Sequence, residues 1–337
     1  MNSIEALLPY LDQSRSIVIT THANPDADAL GSSLALYLFL KARGHDAVVI
    51  SPTEYPDFLK WMAGNNEVVV FDEDNPGASQ QIVDKAEVIF CLDFSGLKRI
   101  KGMEPLVDHA DCVKVIIDHH LDPEDFADFM LWDTNAAATA ELILDFIYMF
   151  EDHEITPEMA NCIYAGIMTD TGSFKFPNTS SKTHRAIADL IDAGANGSMV
   201  SRAIYDNNSL SRLKFIGYAL SEKLTVRKDL NIAYFIIHKE DYDRFNLQKG
   251  DTEGLVNFAL SIAGIVMATI IKEQEDEIKL SFRSVGDYAV NKFANDHFKG
   301  GGHKNASGGM SDASLDSTVE KFESLIEDFK ENYLIIK

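Results

Sequence analysis

The chain has 337 residues, of which 46% are hydrophobic and 25% are charged, and its formal net charge is −23. That length predicts two domains, each large enough to bury a hydrophobic core of its own. The acidic charge argues against a protein that binds long duplex nucleic acid, because such proteins present a basic surface to the phosphates.

Cysteine usage and hydropathy indicate a cytoplasmic protein. Its three cysteines, Cys91, Cys112 and Cys162, lie inside apolar runs without metal-binding spacing, which predicts buried, reduced thiols. The longest apolar stretch, residues 34–40, is too short to span a bilayer. Residues 1–14 predict an amphipathic helix rather than a secretory signal. We therefore expect no membrane association.

The first half of the chain alternates apolar, strand-like runs with helix-length amphipathic segments. Strands are predicted near residues 15–21, 46–51, 67–71, 88–93 and 113–118, and a helix over 29–42 is closed by Gly44. Such alternation is typical of an α/β fold with a mainly parallel sheet flanked by helices. In these sheets, ligands bind at the carboxyl ends of the strands.

The pattern of the second half indicates a series of helices followed by a smaller α/β domain. Residues 138–169 read as two helices, with Pro157 opening the second, and helices continue to about Arg212. Four strands follow within residues 223–228, 230–239, 264–273 and 277–284, with helices over 255–263, 288–297 and 315–333. We expect a catalytic domain over 1–190, a helical connection over 191–212 and a second domain over 213–337, with a cleft between the domains.

Acidic residues are concentrated in the first part of the chain. Residues 1–212 carry 14 basic and 33 acidic side chains, for a charge of −19, whereas residues 213–337 carry 16 and 20, for −4. An anionic substrate would therefore be held mainly by the second part. Metal ions would supply the positive charge in the first.

Carboxylates and imidazoles follow several of the predicted strands and one buried helix. They are His22, Asp26, Asp28, Asp93, Asp118, His119, His120 and Asp170. Carboxylate and imidazole ligands without a thiol suit Mn²⁺, Mg²⁺ or another divalent ion, and several shared carboxylates are typical of a two-metal hydrolase. Each residue alone has an ordinary explanation; Asp28, for example, could cap the helix that follows it. Their joint placement favours the functional interpretation.

A glycine-rich segment near the C-terminus predicts a phosphate-binding site. Gly300, Gly301 and Gly302 precede His303, Lys304, Asn305 and Ser307, and Arg283-Ser284 lie shortly before them. Glycines allow backbone N–H groups to approach a phosphate closely, although a flexible loop is the alternative. Elsewhere, Arg99 is interpreted as forming a structural salt bridge rather than a substrate contact.

These motifs resemble the DHH phosphoesterases, named for the triplet Asp118-His119-His120, over nearly the whole chain. The segments 22–32, Asp93, 118–120 and 166–172 resemble the four family motifs. Arg283-Ser284 and residues 300–308 resemble the DHH-associated C-terminal domain. The length is similar to that of the branch that degrades very short RNA and 3′-phosphoadenosine 5′-phosphate (pAp).

The resemblance implies a role for each motif residue. His22, Asp26 and Asp93 would hold one Mn²⁺, and Asp28, Asp93, His119 and Asp170 a second, with Mg²⁺ or Co²⁺ as substitutes. Asp118 would orient the site and His120 would face the scissile phosphate. The substrate's other phosphate or terminal nucleotide would be bound by Arg283, Ser284, Gly300, Gly301, Gly302, His303, Asn305 and Ser307.

The resemblance implies a manganese-dependent enzyme that hydrolyses short oligoribonucleotides and pAp, with a homodimer as an open option. The alternative within the enzymes is a phosphodiesterase for cyclic dinucleotides or their linear products. A polyphosphatase or pyrophosphatase is disfavoured because the second domains of those enzymes differ. A non-catalytic nucleotide-binding module is disfavoured because every ligand position carries a residue able to bind metal.

Overall fold

The computed structural model describes residues 2–248, 250–274 and 277–335. The chain divides into two units, Met1–Asn207 and Asn208–Lys337, and the division falls inside the segment 191–212 predicted as a helical connection. No helix in these described stretches is both long enough and apolar enough to cross a membrane.

The first unit contains a seven-stranded sheet in which every pair of neighbouring strands is parallel. The strand order is β1-β7-β6-β5-β2-β3-β4. The strands are β1 (Asn2–Ser3), β2 (Ser16–Thr21), β3 (Asp46–Ser51), β4 (Val69–Val70), β5 (Val88–Leu92), β6 (Val113–Asp118) and β7 (Phe129–Trp132). Successive residues of β2 alternate between two apolar cores, since Ile17 and Ile19 join one and Val18 joins the other.

Helices cover both faces of this sheet, as the alternation of the sequence predicts. They are α1 (Ala27–Ala42), α2 (Gly77–Val83), α3 (Glu104–Asp108), α4 (Thr139–Tyr148), α5 (Pro157–Asp170), α6 (Ser181–Asp192) and α7 (Gly197–Tyr205). Shorter 3-10 helices span Ile4–Asp12, Asp57–Leu59, Asn65–Glu67 and Leu97–Met103. Pro157 is the first residue of α5, and Gly44 follows α1 with a φ of +82°.

Two glycines allow α1 and α5 to pack closely. A Cβ atom at Gly31 would lie 2.4 Å from the carbonyl oxygen of Cys162, and one at Gly166 would lie 2.7 Å from Oδ1 of Asp28. Both contacts are too short for a side chain. The close approach brings the first turn of α1 and the last turn of α5 to the same end of the sheet.

The second unit contains a six-stranded mixed sheet in the order β12-β13-β11-β10-β9-β8. Its strands are β8 (Leu224–Arg227), β9 (Ile232–Ile237), β10 (Met267–Glu273), β11 (Ile278–Ser284), β12 (Gly301–His303) and β13 (Ala306–Ser311). Only β9 and β10 pair in parallel among these described strands. The helices are α8 (Leu210–Tyr218), continued by a π-helical turn over Ala219–Lys223, α9 (Lys239–Phe245), α10 (Leu255–Leu260), α11 (Val290–His297), α12 (Leu315–Ile326) and α13 (Phe329–Asn332).

The predicted fold class is confirmed for both sheets, with local differences at the N-terminus, near residues 67–71 and in the glycine segment. Residues 4–12 form a 3-10 helix containing Pro9, and Asn2–Ser3 pair with β7; Met1 lies outside the described residues. The strand predicted near 67–71 is only two residues long, and β7 was not predicted. Residues 300–308 form most of an antiparallel hairpin rather than a loop.

Candidate active site

Three neighbouring strands deliver site residues to one edge of the first sheet. His22 follows β2, Asp93 follows β5, and the triplet 118–120 ends and follows β6. The order β6-β5-β2 makes these strands adjacent, so their carboxyl ends lie side by side. The packing of α1 on α5 adds Asp28 and Asp170 to the same edge.

Asp93 lies at the centre of this group. Its backbone adopts a left-handed φ of +63°, and its N–H donates to the carbonyl of Ile117 at 3.1 Å. Its Oδ1 accepts a hydrogen bond of 2.8 Å from the Thr139 hydroxyl, and its Oδ2 lies 3.2 Å from Nε2 of His22. Burial alone would raise the pKa of Asp93, but the His22 bond and the neighbouring imidazoles hold that pKa well below its usual range.

Asp28 is fully buried against the first turn of α4. Its Oδ2 accepts the N–H of Thr139 at 2.7 Å, and its Oδ1 accepts the N–H of Ala140 at 2.8 Å. Those N–H groups have no acceptor within their own helix, so the carboxylate satisfies them. Burial, together with the charges of Asp93 and Asp170, nevertheless raises the pKa of Asp28 well above normal.

His119 faces three carboxylates at once. Its Nδ1 lies 3.2 Å from the carbonyl oxygen of Ala136, which favours a proton on Nδ1 and a lone pair on Nε2. Its Nε2 lies 3.5 Å from Asp170, 3.6 Å from Asp93 and 3.8 Å from Asp28. A neutral imidazole nitrogen surrounded by carboxylate oxygens suits a cation placed among them.

Asp26, rather than Asp28, is the N-cap of α1. Its Oδ1 accepts the N–H groups of Asp28 and Ala29, each at 3.0 Å. The alternative interpretation of Asp28 as the cap is therefore wrong. Capping occupies one oxygen of the Asp26 carboxylate, and the side chain still has a ligand atom close to His22 and Asp93.

The donor groups form two overlapping sets that fit divalent metal ions. Ligand atoms of His22, Asp26 and Asp93 lie within 4.8 Å of one another, and so do those of Asp28, Asp93 and His119. Asp93 belongs to both sets. Burial is the first cause of the raised pKa of Asp28, and the charges of Asp93 and Asp170 raise it further. A bound cation would offset the repulsion between these carboxylates.

His120 is oriented by Asp118, the acidic residue of the triplet. Its Nδ1 lies 2.8 Å from Oδ1 of Asp118, a fully buried carboxylate. Burial would raise the pKa of Asp118, but the bond to His120 lowers it. The indole N–H of Trp132 donates to the His120 carbonyl at 2.6 Å and fixes the backbone of the triplet.

The site includes two residues that the sequence analysis missed, Thr139 and Trp132. Thr139 binds Asp93 and Asp28, which are 46 and 111 positions away in the chain. Its position at the first turn of a predicted helix was the only signal for Thr139. No pattern in the sequence marks Trp132, whose contact with His120 is tertiary.

In the second unit, several predicted substrate-binding residues surround the end of β11. Nη1 of Arg283 donates to the carbonyl of Phe282 at 3.0 Å, and Oγ of Ser284 donates to the carbonyl of Tyr288 at 2.7 Å. The Asn305 amide donates to Oγ of Ser284 at 2.8 Å. Ser284 and Asn305 therefore hold the turn after β11, and their contact with substrate stays a prediction.

The geometry of the hairpin requires glycine at two positions of the glycine-rich segment. A Cβ atom at Gly300 would lie 2.2 Å from the carbonyl oxygen of Gly308, and one at Gly302, whose φ is +135°, would lie 2.7 Å from that of Ala306. Oγ of Ser307 donates to the carbonyl of Gly301 at 2.8 Å. Gly301 is different, because a Cβ atom there would meet open space. His303 is half-buried at the end of β12.

Comparison with known proteins places this geometry in a family. A model of the DHH family N-terminal domain matches residues 16–167, and a model of the DHHA1 domain matches residues 229–333. The bifunctional oligoribonuclease and PAP phosphatase NrnA of Thermus thermophilus is 30% identical over 308 residues, covering 90% of this chain and 87% of the relative.

Two further similarities each cover nearly the whole chain. The crystal structure of an exopolyphosphatase-related protein from Bacteroides fragilis has 38% sequence identity and a TM-score of 0.91, covering 97% of this chain and 96% of that one. The cyclic-di-AMP phosphodiesterase GdpP of Bacillus subtilis is 24% identical and covers 97% of this chain, which spans half of GdpP. The chain belongs to the DHH family and is a phosphoesterase with a DHHA1 domain.

Proposed function

We propose that this protein is a manganese-dependent, two-metal phosphoesterase that hydrolyses short oligoribonucleotides and pAp. The observation that carries the proposal is the pair of overlapping donor sets that share Asp93. The name of the Thermus thermophilus relative, which covers most of both chains, supports the substrate class. Oxygen and imidazole donors without thiolate favour Mn²⁺ over softer ions.

The proposed ligands are His22, Asp26 and Asp93 for one ion and Asp28, Asp93, His119 and Asp170 for the other. The ions would supply Lewis-acid activation of water and neutralise charge on the phosphate. The chain itself fixes the ligands in advance. Thr139 aligns Asp93, the first turn of α4 aligns Asp28, and the Ala136 carbonyl aligns His119.

His120 is the proposed contact to the scissile phosphate. The buried Asp118 carboxylate holds Nδ1 of the ring and fixes the orientation of the imidazole. When protonated, the ring can donate a hydrogen bond from Nε2 to a phosphate oxygen. Trp132 fixes the backbone of His120 and so limits the positions that the ring can adopt.

A short substrate is favoured by the distribution of charge. The first unit carries 33 acidic and 13 basic side chains, for −20, so each phosphate beyond the metal centre meets a repulsive surface. Positive charge for a terminal phosphate is proposed to come from Arg283 with His303 and the hairpin around Gly301. These groups suffice for a few phosphates and provide no track for a long strand.

The test is a turnover panel with metal-free protein reloaded with Mn²⁺. The substrates are pAp, 5′-labelled RNAs from two nucleotides to several tens, cyclic di-AMP and pyrophosphate, each at two salt concentrations. We expect turnover of pAp and the shortest RNAs, with kcat/KM falling as RNA lengthens and recovering partly at higher salt. Equal processing of long and short RNA, or no turnover of either substrate class, would contradict the proposal.

A cyclic dinucleotide phosphodiesterase is the second candidate, favoured by the similarity to GdpP over 97% of this chain. The same donor sets would serve a cyclic phosphodiester. The panel separates the two functions, because a preference for cyclic di-AMP over linear dinucleotides and pAp would select the second candidate.

A further inference from the structure

The loop after Asp93 places a basic residue beside the metal centre. The 3-10 helix Leu97–Met103 begins four residues after Asp93 and carries Lys98 and Arg99 on its exposed side. The backbone carbonyl of Arg99 accepts the N–H of Ala23 at 2.8 Å. Ala23 directly follows His22, so this bond fixes residue 99 next to the His22 side of the site.

The surroundings of Arg99 differ from those of two other arginines in the same unit, Arg15 and Arg43. Arg15 and Arg43 each pair with a carboxylate, Glu87 at 2.7 Å and Asp152 at 2.6 Å. In the described part of the chain, no carboxylate forms an ion pair with the Arg99 guanidinium. The structural salt bridge expected from the sequence is therefore wrong.

Two acidic side chains border the loop that carries Arg99. Oε2 of Glu124 accepts the N–H of Leu97 at 3.1 Å, and the Glu73 carboxylate lies against Gly102. Arg99 is exposed, and its backbone is hydrogen-bonded to the residue after His22, so it stands on the His22 side of the site. In a unit with a net charge of −20, an exposed guanidinium at this position attracts an anion to the metal centre.

We propose that Arg99 is a phosphate-binding residue of the active site, which holds oxygen atoms of the substrate phosphate on the His22 side of the metal centre. A guanidinium suits this role because its planar N–H groups bind two phosphate oxygens together and it stays charged at working pH. This assignment rests on the proposed function for its substrate, but phosphate binding itself can be measured without turnover.

The test compares Arg99→Ala and Arg99→Lys with Lys98→Ala, which removes a like charge from the adjacent exposed position. With Mn²⁺ and an RNA dinucleotide or pAp, Arg99→Ala should raise KM about tenfold or more, with a smaller change in kcat. Arg99→Lys should recover part of the loss because it keeps the charge but not the two-oxygen contact. Lys98→Ala should stay within about twofold of wild type.

Two further measurements separate binding from folding and from the proposed function. Calorimetry with inorganic phosphate on manganese-loaded protein should show about tenfold weaker binding in Arg99→Ala and an unchanged manganese content and Tm. Wild-type kinetics in Arg99→Ala, equal losses in Lys98→Ala, or lost manganese would each overturn the assignment. If wild-type protein turns over neither substrate yet binds phosphate through Arg99, only the proposed function fails.

Discussion

Buried carboxylates occur in both units, but their surroundings differ. In the second unit, Asp241 is 5% exposed and is surrounded by donors: Lys223 Nζ at 2.9 Å, Tyr218 OH at 3.0 Å and the His238 N–H at 3.0 Å. Burial would raise the pKa of Asp241, but these partners lower it.

At the candidate metal centre, Asp28 has the opposite environment. It is also buried, but its charged neighbours include Asp93 and Asp170, and its pKa is raised. Asp241 thus has a cationic partner from the same chain, whereas burial and neighbouring carboxylates raise the pKa of Asp28. This difference is the physical reason to assign an external cation to the cluster around Asp28 and none to the surroundings of Asp241.

The largest expected effect comes from removing the shared carboxylate. Asp93→Asn should reduce kcat by about 10²–10³-fold or more, because it weakens both proposed metal sites and the electrostatic stabilisation they provide. Turnover of a dinucleotide with Mn²⁺ measures this effect. A variant with the wild-type rate would remove Asp93 from the centre of the site.

Two basic residues of the second unit are expected to differ as the carboxylates do, one stabilising the fold and the other binding substrate. Lys223 serves the fold, whereas Arg283 is predicted to serve the substrate, so Arg283→Ala should lower kcat/KM about tenfold or more through KM. Manganese content and Tm should not change. Steady-state kinetics with pAp, followed by metal analysis, check this result; loss of manganese would contradict the assignment.

Asp241→Asn should destabilise the second unit, with a cost of about 1–3 kcal/mol in the free energy of unfolding at neutral pH. Because the folded-state pKa of Asp241 is lowered, its contribution is present above the unfolded pKa of about 3.9. The contribution is lost as pH falls through the folded-state value. Denaturant unfolding between neutral and acidic pH should therefore show wild type and variant converging in acid.

The exposed Asp243→Asn on the same helix is the matched control for this measurement. It should change the free energy of unfolding by less than about 0.5 kcal/mol at every pH. Parallel curves for wild type and Asp241→Asn down to low pH would show that Asp241 does not stabilise the unit through its charge.

Substitutions at two neighbouring glycines of the hairpin should distinguish a glycine that the fold requires from one that contacts substrate. Gly302→Ala should cost about 1–3 kcal/mol of stability, because its φ is +135° and a Cβ atom would lie 2.7 Å from a backbone oxygen. Gly301→Ala should stay within about 0.5 kcal/mol of wild type, since a Cβ atom there meets open space. A raised KM in Gly301→Ala would mark close approach of substrate; an unchanged KM would remove Gly301 from the predicted contacts.

A small effect on stability, of opposite sign, is expected for a carboxylate of the metal centre. Asp170 ends α5, where a negative charge is unfavourable to the helix dipole, and it lies among other carboxylates. Asp170→Asn should therefore leave metal-free protein as stable as wild type or up to about 1 kcal/mol more stable, while its manganese affinity falls. Denaturant unfolding of the metal-free variant checks this, and a loss like that of Asp241→Asn would contradict the comparison.

Much of the site was predictable because it follows from strand order. His22, Asp93 and His119 each follow an apolar strand, and adjacent parallel strands end at one edge of a sheet. The residue pattern named Asp28 and Asp170 as candidates, but their assignment to one ion came from the resemblance to the DHH family, because their approach depends on helix packing through Gly31 and Gly166. No local pattern encodes that contact.

The parts that sequence analysis missed depend on contacts between distant residues. Thr139 forms hydrogen bonds with Asp93 and Asp28 through tertiary packing, which no local sequence pattern predicts. The hairpin at 301–311 was missed because its glycines predict a loop, whereas pairing with β11 makes it part of a sheet. In this segment, pairing with β11 outweighs the low strand propensity of glycine.

Calorimetric titration of metal-free protein with Mn²⁺ tests the central claim most directly. Wild type should bind two ions per chain and gain thermal stability from binding, Asp93→Asn should bind both more weakly, and Asp241→Asn should bind like wild type despite its lower stability. Absence of manganese binding in wild type, or unchanged binding in Asp93→Asn, would contradict the assignment of this carboxylate cluster as a two-metal centre.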